Sequence, residues 1–398
     1  MSKTKTFDYD SATFKRSVSE AFNLYLQEQS SGLSIYMNNG SNLIVKNKKH
    51  EWQESQLSPQ SWTVNGEVAS GTYGTTVGTA ANIVFDSTTG LVAGDIIRFV
   101  NASTEAPIGN LQLQIVSVTN GTTATAYIYG GTTDATVADN AIAKLISNPV
   151  EENRSSFTAT NDWEPDWEYN YTEIFETTIE LSGTALNSDS YQDVTTMRSQ
   201  LEQGYYRIRQ RMAEAAMFGR RVARSGSTTG TKGSLGGLQY FIDVSGGNTV
   251  DASSAALTPT LINNLGEEIK KDGGSFNTIL CNYNQARKIS AFNATGNNPV
   301  VSRGETTAGG YVMNFVSDLP VAGGLVSRII VDEKVPANQV YLIDTNKIAL
   351  IPMRNRALSI LDGTINGQDG EKAILRGEYT LQLQDAKYSH GIIKNLAV

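Results

Sequence analysis

Between Val194 and Ala215 apolar residues return every three or four positions: Val194, Met197, Leu201, Tyr205, Ile208, Met212 and Ala215. That spacing lays one apolar stripe along an α-helix. Carried from Tyr191 to Arg224, the helix would be ~51 Å long at ~1.5 Å per residue. A compact domain has no interior of that length, so the stripe predicts a spine running along an extended subunit. Gly204 falls inside it, costs ~1 kcal/mol relative to alanine, and so predicts a bend or a close packing contact. Within Arg198–Arg224 stand seven arginines, Arg198, Arg207, Arg209, Arg211, Arg220, Arg221 and Arg224, against two acids, Glu202 and Glu214.

That basic helix belongs to an acidic chain of 398 residues and net charge −8. A surface basic throughout would be expected of a general nucleic-acid binder, so that class is disfavoured. The arginines then have two readings, a surface turned toward packaged nucleic acid or pairing with carboxylates of neighbouring subunits. The second is preferred, because arginine suits bidentate carboxylate pairing at interfaces. The single cysteine, Cys281, excludes an intrachain disulfide framework and a cysteine-based zinc site. Two histidines, His50 and His390, leave little for histidine catalysis or metal ligation. No apolar run approaches the ~18 residues of a membrane span. The first ten residues carry no apolar signal core, so a chain made and used inside a cell is expected.

Composition shifts near residues 61 and 150. Between them only Arg98 and Lys144 are basic, against Glu67, Asp86, Asp95, Glu105, Asp134 and Asp139, so under a quarter of the chain holds half its net charge. Leu111, Leu113 and Ile115 alternate with Gln112 and Gln114, as in a half-buried strand. Ile96–Val100 follows the turn signal Ala93-Gly94-Asp95, and Ala126–Tyr129 ends at Gly130-Gly131. The segment 61–150 is therefore expected to be an inserted all-β sandwich or barrel; its apolar alternation argues against a linker.

Downstream, Tyr169, Tyr171, Phe175, Ile179 and Leu181 share one face of a strand over 169–181, with Asn170, Thr172, Glu176, Thr178 and Glu180 on the other. At ~3.3 Å per residue it would reach ~40 Å, so it projects or bends. Thr258-Pro259 reads as a helix start and Lys270-Lys271 before Gly273-Gly274 as its stop. Thr278–Cys281 reads as a buried strand and Asn282 as the cap of a second helix. Further strands are expected at 328–331, 340–343, 348–351, 373–375 and 379–383. The class is α+β.

Catalytic patterns are not found. No P-loop, H-E-x-x-H or C-x-x-C is present. Gly233–Gly237 resembles a phosphate loop by glycine content alone and reads as a turn. Asp362–Asp369 has oxygen donors at calcium-like spacing but lacks the closing glutamate, so a hairpin turn is favoured. A Ser-His-Asp triad would need His50 or His390. Glu164, Asp166 and Glu168 beside Trp163 and Trp167 form the best enzyme-like cluster, with a glycoside-hydrolase pair as its sharpest reading and an aromatic–acidic contact segment as the favoured one.

The order of segments, with the runs His50-Glu51-Trp52-Gln53, Tyr171–Phe175, Ile179–Thr184, Glu214–Gly219, Gly236-Gly237-Leu238 and Gly377–Leu381, resembles the major capsid proteins of tailed double-stranded-DNA bacteriophages, the Hong Kong 97-type fold. The resemblance covers nearly all of the chain except 61–150. It implies an N-terminal arm over 1–50, an extended E-loop over 51–60 and 151–185 interrupted by the insert, a peripheral domain with the spine helix over 186–250 and 371–398, and an axial domain over 251–370.

It also implies a shell protein that self-assembles into pentamers and hexamers, closing as an icosahedral capsid around non-specifically held double-stranded DNA. Decoration, scaffold and portal proteins are expected partners; the location is the virion, after assembly in the host cytoplasm. No cofactor, metal, membrane or enzymatic activity is expected. The residues assigned to subunit contacts are Trp163, Trp167, Tyr169, Tyr171, Phe175, Arg198, Arg207, Arg211, Arg220 and Arg221. The alternative is a β-rich surface adhesion or carbohydrate-binding protein, motivated by the Thr/Gly-rich insert and the tryptophan pair.

Overall fold

A computed structural model describes residues 43–54, 60–150, 152, 166–188, 196–225, 231–244, 246–292, 301–303, 312–316 and 326–398. The arm over 1–42, Trp163 and Glu164 lie outside the described residues. The chain divides into two compact units, Gln53–Trp167 and a body made of Met1–Trp52 with Glu168–Val398. The divisions fall inside two strands that pair with each other, β1 (Lys49–Glu54) and β8 (Asp166–Tyr171).

Six strands build the first unit: β2 (Ser61–Thr63), β3 (Ala81–Val84), β4 (Ile96–Val100), β5 (Pro107–Val118), β6 (Thr123–Ile128) and β7 (Ile142–Ser147). Their order is β2-β7-β4-β5-β6-β3. The two ends of that order meet, because Val64 bridges Phe85, Asn65 N–H donates to Val84 O at 2.9 Å and Asp86 N–H to Thr63 O at 2.9 Å. The sheet thus closes on itself as a small barrel, which leaves no long open edge. Alternate residues fill it: Ile83, Phe85, Ile97, Phe99, Leu111, Leu113 and Ile115 are all buried. Asp95 anchors the turn before β4, accepting from Val92 N–H at 2.8 Å and Asn148 Nδ2 at 2.9 Å.

The body carries two sheets. Its first holds β9 (Glu173–Ser182), β16 (Ile348–Pro352), β17 (Ser359–Asp362) and β18 (Gly370–Leu383). The long β18 pairs antiparallel with β9 over ten residues, from Gly370↔Ser182 to Tyr379↔Glu173, and with β17 and then β16. Its second sheet is seven-stranded, in the order β10 (Asn248–Asp251), β19 (Gly391–Lys394), β15 (Val340–Ile343), β11 (Thr278–Cys281), β14 (Val326–Val331), β13 (Val312–Val316), β12 (Val301–Arg303). Five helices accompany them among the described residues: α1 (Gly183–Asn187), α2 (Met197–Phe218), α3 (Leu238–Val244), α4 (Pro259–Lys271) and α5 (Tyr283–Ala291). Thr258 caps α4 through Leu261 N–H, with proline first in the helix. Asn282 caps α5 in the same way through Asn284 N–H.

Helix α2 is the predicted spine, but shorter. Its 22 residues span ~33 Å, and Thr196 caps it through Ser199 N–H. It stops at Gly219, where a Cβ would lie 2.5 Å from the carbonyl oxygens of both Ala215 and Leu235. Arg220, Arg221 and Arg224 therefore leave the helix. Gly204 marks close packing: a Cβ there would meet Ile179 Cδ1 at 2.9 Å and Leu375 Cδ1 at 3.1 Å, so the helix lies against β9 and β18 at this point.

Three further expectations change. The strand over 169–181 is two strands, broken at Thr172, whose N–H donates to Lys48 O at 3.0 Å. The segments 373–375 and 379–383 are one strand, β18. Strand β19, assigned with 371–398 to the helix-bearing domain, pairs instead between β10 and β15, whereas β16, assigned with 251–370, joins β18.

Candidate subunit-interface site

Around β8 the sequence reading of faces inverts. Asn170 and Thr172 point inward, because each is fully hydrogen-bonded there. Asn170 Nδ2 donates to Gly236 O at 3.0 Å and Leu381 O at 2.7 Å, while its Oδ1 accepts from Gly236 N–H at 2.7 Å. The Thr172 hydroxyl donates to Glu378 Oε1 at 2.6 Å. Phe175, expected on an exposed aromatic face, is only 5% exposed and sits in the body's core with Ile208, Met212 and Leu375. It is withdrawn from the contact residues, since removing it would damage the fold itself.

The glycine loop at 233–237 is a joint between elements. Leu235 N–H donates to Glu173 Oε2 at 3.1 Å and Gly236 N–H to Asn170, so these amides are already taken and cannot cradle a phosphate. Burial pushes the Glu173 carboxyl up, while the Leu235 N–H pulls it back.

Arg221 is bound within its own chain. Its guanidinium pairs with Glu168, donates to Tyr169 O at 2.8 Å and lies 4.0 Å from the Tyr169 ring centroid. Lys49 Nζ flanks the same ring at 4.1 Å. Tyr169 and Arg221 are thus committed to holding β8 and the segment after α2 together, which corrects their reading as contacts to a neighbour. Glu168, once taken by Arg221, is not half of a catalytic carboxylate pair. Trp167 is 63% exposed and Tyr171 half-buried.

Behind this lies a buried carboxylate, Glu378, which the sequence reading missed. It accepts from Arg356 Nε at 2.9 Å and Arg224 Nη2 at 3.4 Å besides Thr172. The signal available was weak: a glutamate inside the apolar run of a closing strand.

On α2, Arg198, Arg207 and Arg211 are exposed, and Arg220 is exposed just beyond it. Arg207 and Arg211 are four apart and share a face; Arg198 is nine residues earlier than Arg207, about half a turn round at ~100° per residue. Among the described residues none of the four forms an ion pair. Arg211 Nη1 reaches only Glu176 O, at 3.4 Å. Glu214, one turn on, is held by Lys334 at 2.7 Å.

The histidines are not catalytic. His390 is wholly buried, and its nitrogens meet the Asp344 N–H at 3.4 Å and Gln384 O at 3.1 Å. His50 faces Gln382 Oε1 at 3.2 Å. The loop 363–369 closes the β17–β18 hairpin, with Thr364 N–H on Asp362 Oδ1 at 2.9 Å.

An extended sheet, a long helix laid across it and exposed cations without partners describe a subunit made to meet others. The family model for the SU10 major capsid protein matches residues 3–397. The chain belongs to the SU10 major capsid protein family. No curated protein matches it. A chain of the cyanophage A-1(L) capsid asymmetric unit is 12% identical, with a TM-score of 0.51 over 98% of this chain and 99% of that one. A Mycobacterium phage Cain chain is 11% identical, with a TM-score of 0.49 over 98% and 97%. The capsid of an empty GTA particle gives the same identity and score over the same shares. This capsid protein therefore has the Hong Kong 97-type fold and builds a phage capsid shell, and the adhesion reading has no support.

Proposed function

We propose that this capsid protein assembles into pentamers and hexamers that close as an icosahedral shell around double-stranded DNA, through contacts that include the exposed arginines of α2. The observation that carries this is the pair Arg207 and Arg211, two like charges on one helix face without a carboxylate among the described residues. Such a pair is mildly unfavourable by itself; a neighbour's acidic side chains would make it favourable. Residues 1–50 act as an arm, 51–60 and 151–185 as the extended loop that carries the barrel, and the two sheets of the body as peripheral and axial parts. Scaffold, portal and decoration proteins are the partners such a shell requires, and assembly takes place in the host cytoplasm. The test is assembly in vitro without DNA. Replacing Arg207 and Arg211 together with glutamate should abolish capsomer rings in electron micrographs while circular dichroism stays unchanged. Wild-type yield of empty shells from the double variant would overturn the interface role and turn these arginines toward the genome.

A further inference from the structure

Where β1 runs past the break between β8 and β9, a cleft of about 170 Å³ opens, lined by Lys48, Lys49, Tyr171, Thr172, Ala223 and Arg224. Its charge is unbalanced. Lys49 is paired with Glu51. Arg224 reaches Glu378 only at 3.4 Å, and that carboxylate is held more closely by Arg356 at 2.9 Å. Lys48 has no ion pair, and the Tyr171 hydroxyl no hydrogen-bond partner, among the described residues. Four cations thus meet two carboxylates, Glu51 and Glu378, in a chain whose net charge is −8. Walls of Tyr171, Thr172 and Ala223 partly exclude water, which strengthens a charge-assisted hydrogen bond formed inside.

We infer that this cleft receives one aspartate or glutamate side chain of a second copy of this chain, held by Lys48, Arg224 and the Tyr171 hydroxyl. The inference rests on the shell reading above. Three observations favour this occupant. The cleft has room for a single side-chain head. The chain's acidic surplus supplies the ligand on every copy. Duplex DNA, with one charge per ~1.7 Å of its axis, is bound by a row of cations along a surface and not by a pocket.

Shells grown from equal amounts of ordinary and ¹⁵N-labelled protein, without DNA, are treated with a carbodiimide, which joins an amine only to a carboxylate touching it. Digestion and mass spectrometry should then find Lys48 joined to an acidic peptide in isotopically mixed pairs. Lys48→Glu should lower shell yield about tenfold or more, the size expected when a charge-assisted hydrogen bond is replaced by repulsion, and Lys48→Arg should retain it. Shells that form normally with Lys48 joined only within one isotope, or not at all, would overturn the cleft and leave the shell reading intact. Protection of Lys48 from acetylation only in DNA-filled shells would overturn it in favour of nucleic acid. Failure of the wild-type chain to form shells would instead overturn the reading on which it rests.

Discussion

The barrel and the body solve the same problem differently. In the barrel the chain completes its own bonding. Val64 and Phe85 close the sheet, and turns are locked by side chains onto nearby amides: Asn101 Oδ1 takes Ser103 and Thr104 N–H, and Asn120 Oδ1 takes Thr122 and Thr123 N–H. One ion pair, Lys144–Glu105, is seen there among the described residues, against ten in the body. The body leaves things open. Its edge strand β17 is exposed at all four residues, with Ile360 at 60%, and the arginines of α2 have no acids. An open edge with apolar residues invites pairing with another chain. The difference teaches that the insert is built to stand alone and the body to be completed by neighbours.

The sharpest way to break that comparison is a core deletion in the barrel. Phe99 is buried among Ile97, Leu111 and Leu113. Phe99→Ala should destabilise the barrel by ~3–5 kcal/mol. Two cooperative units predict two calorimetric transitions, of which only one should move. A single transition shifting as a whole would show that the barrel and body unfold together.

Much of this was legible in advance where local chemistry decides the outcome. Thr258-Pro259, Asn282 and the all-apolar runs 278–281 and 340–343 fall where they were read, because caps and buried strands carry their signals within a few residues. Faces around residue 170 were misread for a physical reason. Alternation assumes that polar side chains face water, yet Asn170 and Thr172 bury theirs by bonding to Gly236, Leu381 and Glu378, which are 66 to 211 residues away. The helix end was overrun because arginines at 220, 221 and 224 suit a helix, and the crowding at Gly219 comes from Leu235 across a loop. Glu378 needed Arg224 and Arg356 from two other segments before it could be seen as a site.

A second test separates the units by pH, with a somewhat smaller effect. Burial lowers His390 from 6.5 to about 4. Above 6.5 the ring is neutral in both states and contributes nothing. Between 6.5 and about 4 the unfolded chain binds a proton that the folded body refuses, so stability is lost as pH falls. Across that window the loss is about 3 kcal/mol. Asp95 in the barrel has the opposite sign: burial raises its carboxyl, the folded state binds the proton more readily, and its contribution grows in acid. Because Glu173 and Glu268 in the body are also raised by burial, the measurement is a difference. Denaturation of wild type and His390→Gln at neutral and acidic pH should show the flatter profile in the variant. Parallel profiles would mean that His390 is solvated in solution.

The smallest effect concerns the outer face of β9 and β18. Arg376 Nε pairs with Glu176 at 2.6 Å and Lys372 Nζ with Glu180 at 3.3 Å, both across a register that also brings Ile374 beside Thr178. These side chains are roughly 30–50% exposed, so water screens them and holding two long side chains in place costs entropy. A double-mutant cycle on Glu176 and Arg376 in the unassembled subunit should give a coupling of ~0.2–1 kcal/mol. Added salt should reduce it, since exposed charges are screened within ~8–10 Å at ordinary ionic strength. Charges worth so little to the single subunit are not there to hold β9 onto β18; ten residues of backbone pairing and the packing of Gly204 against Ile179 and Leu375 do that. They are then available to exchange partners when another copy is laid against the sheet, at little cost to the fold. A coupling above ~2 kcal/mol, beyond the range of exposed pairs, would make the ladder part of the subunit's own stability and place this face with the self-sufficient barrel.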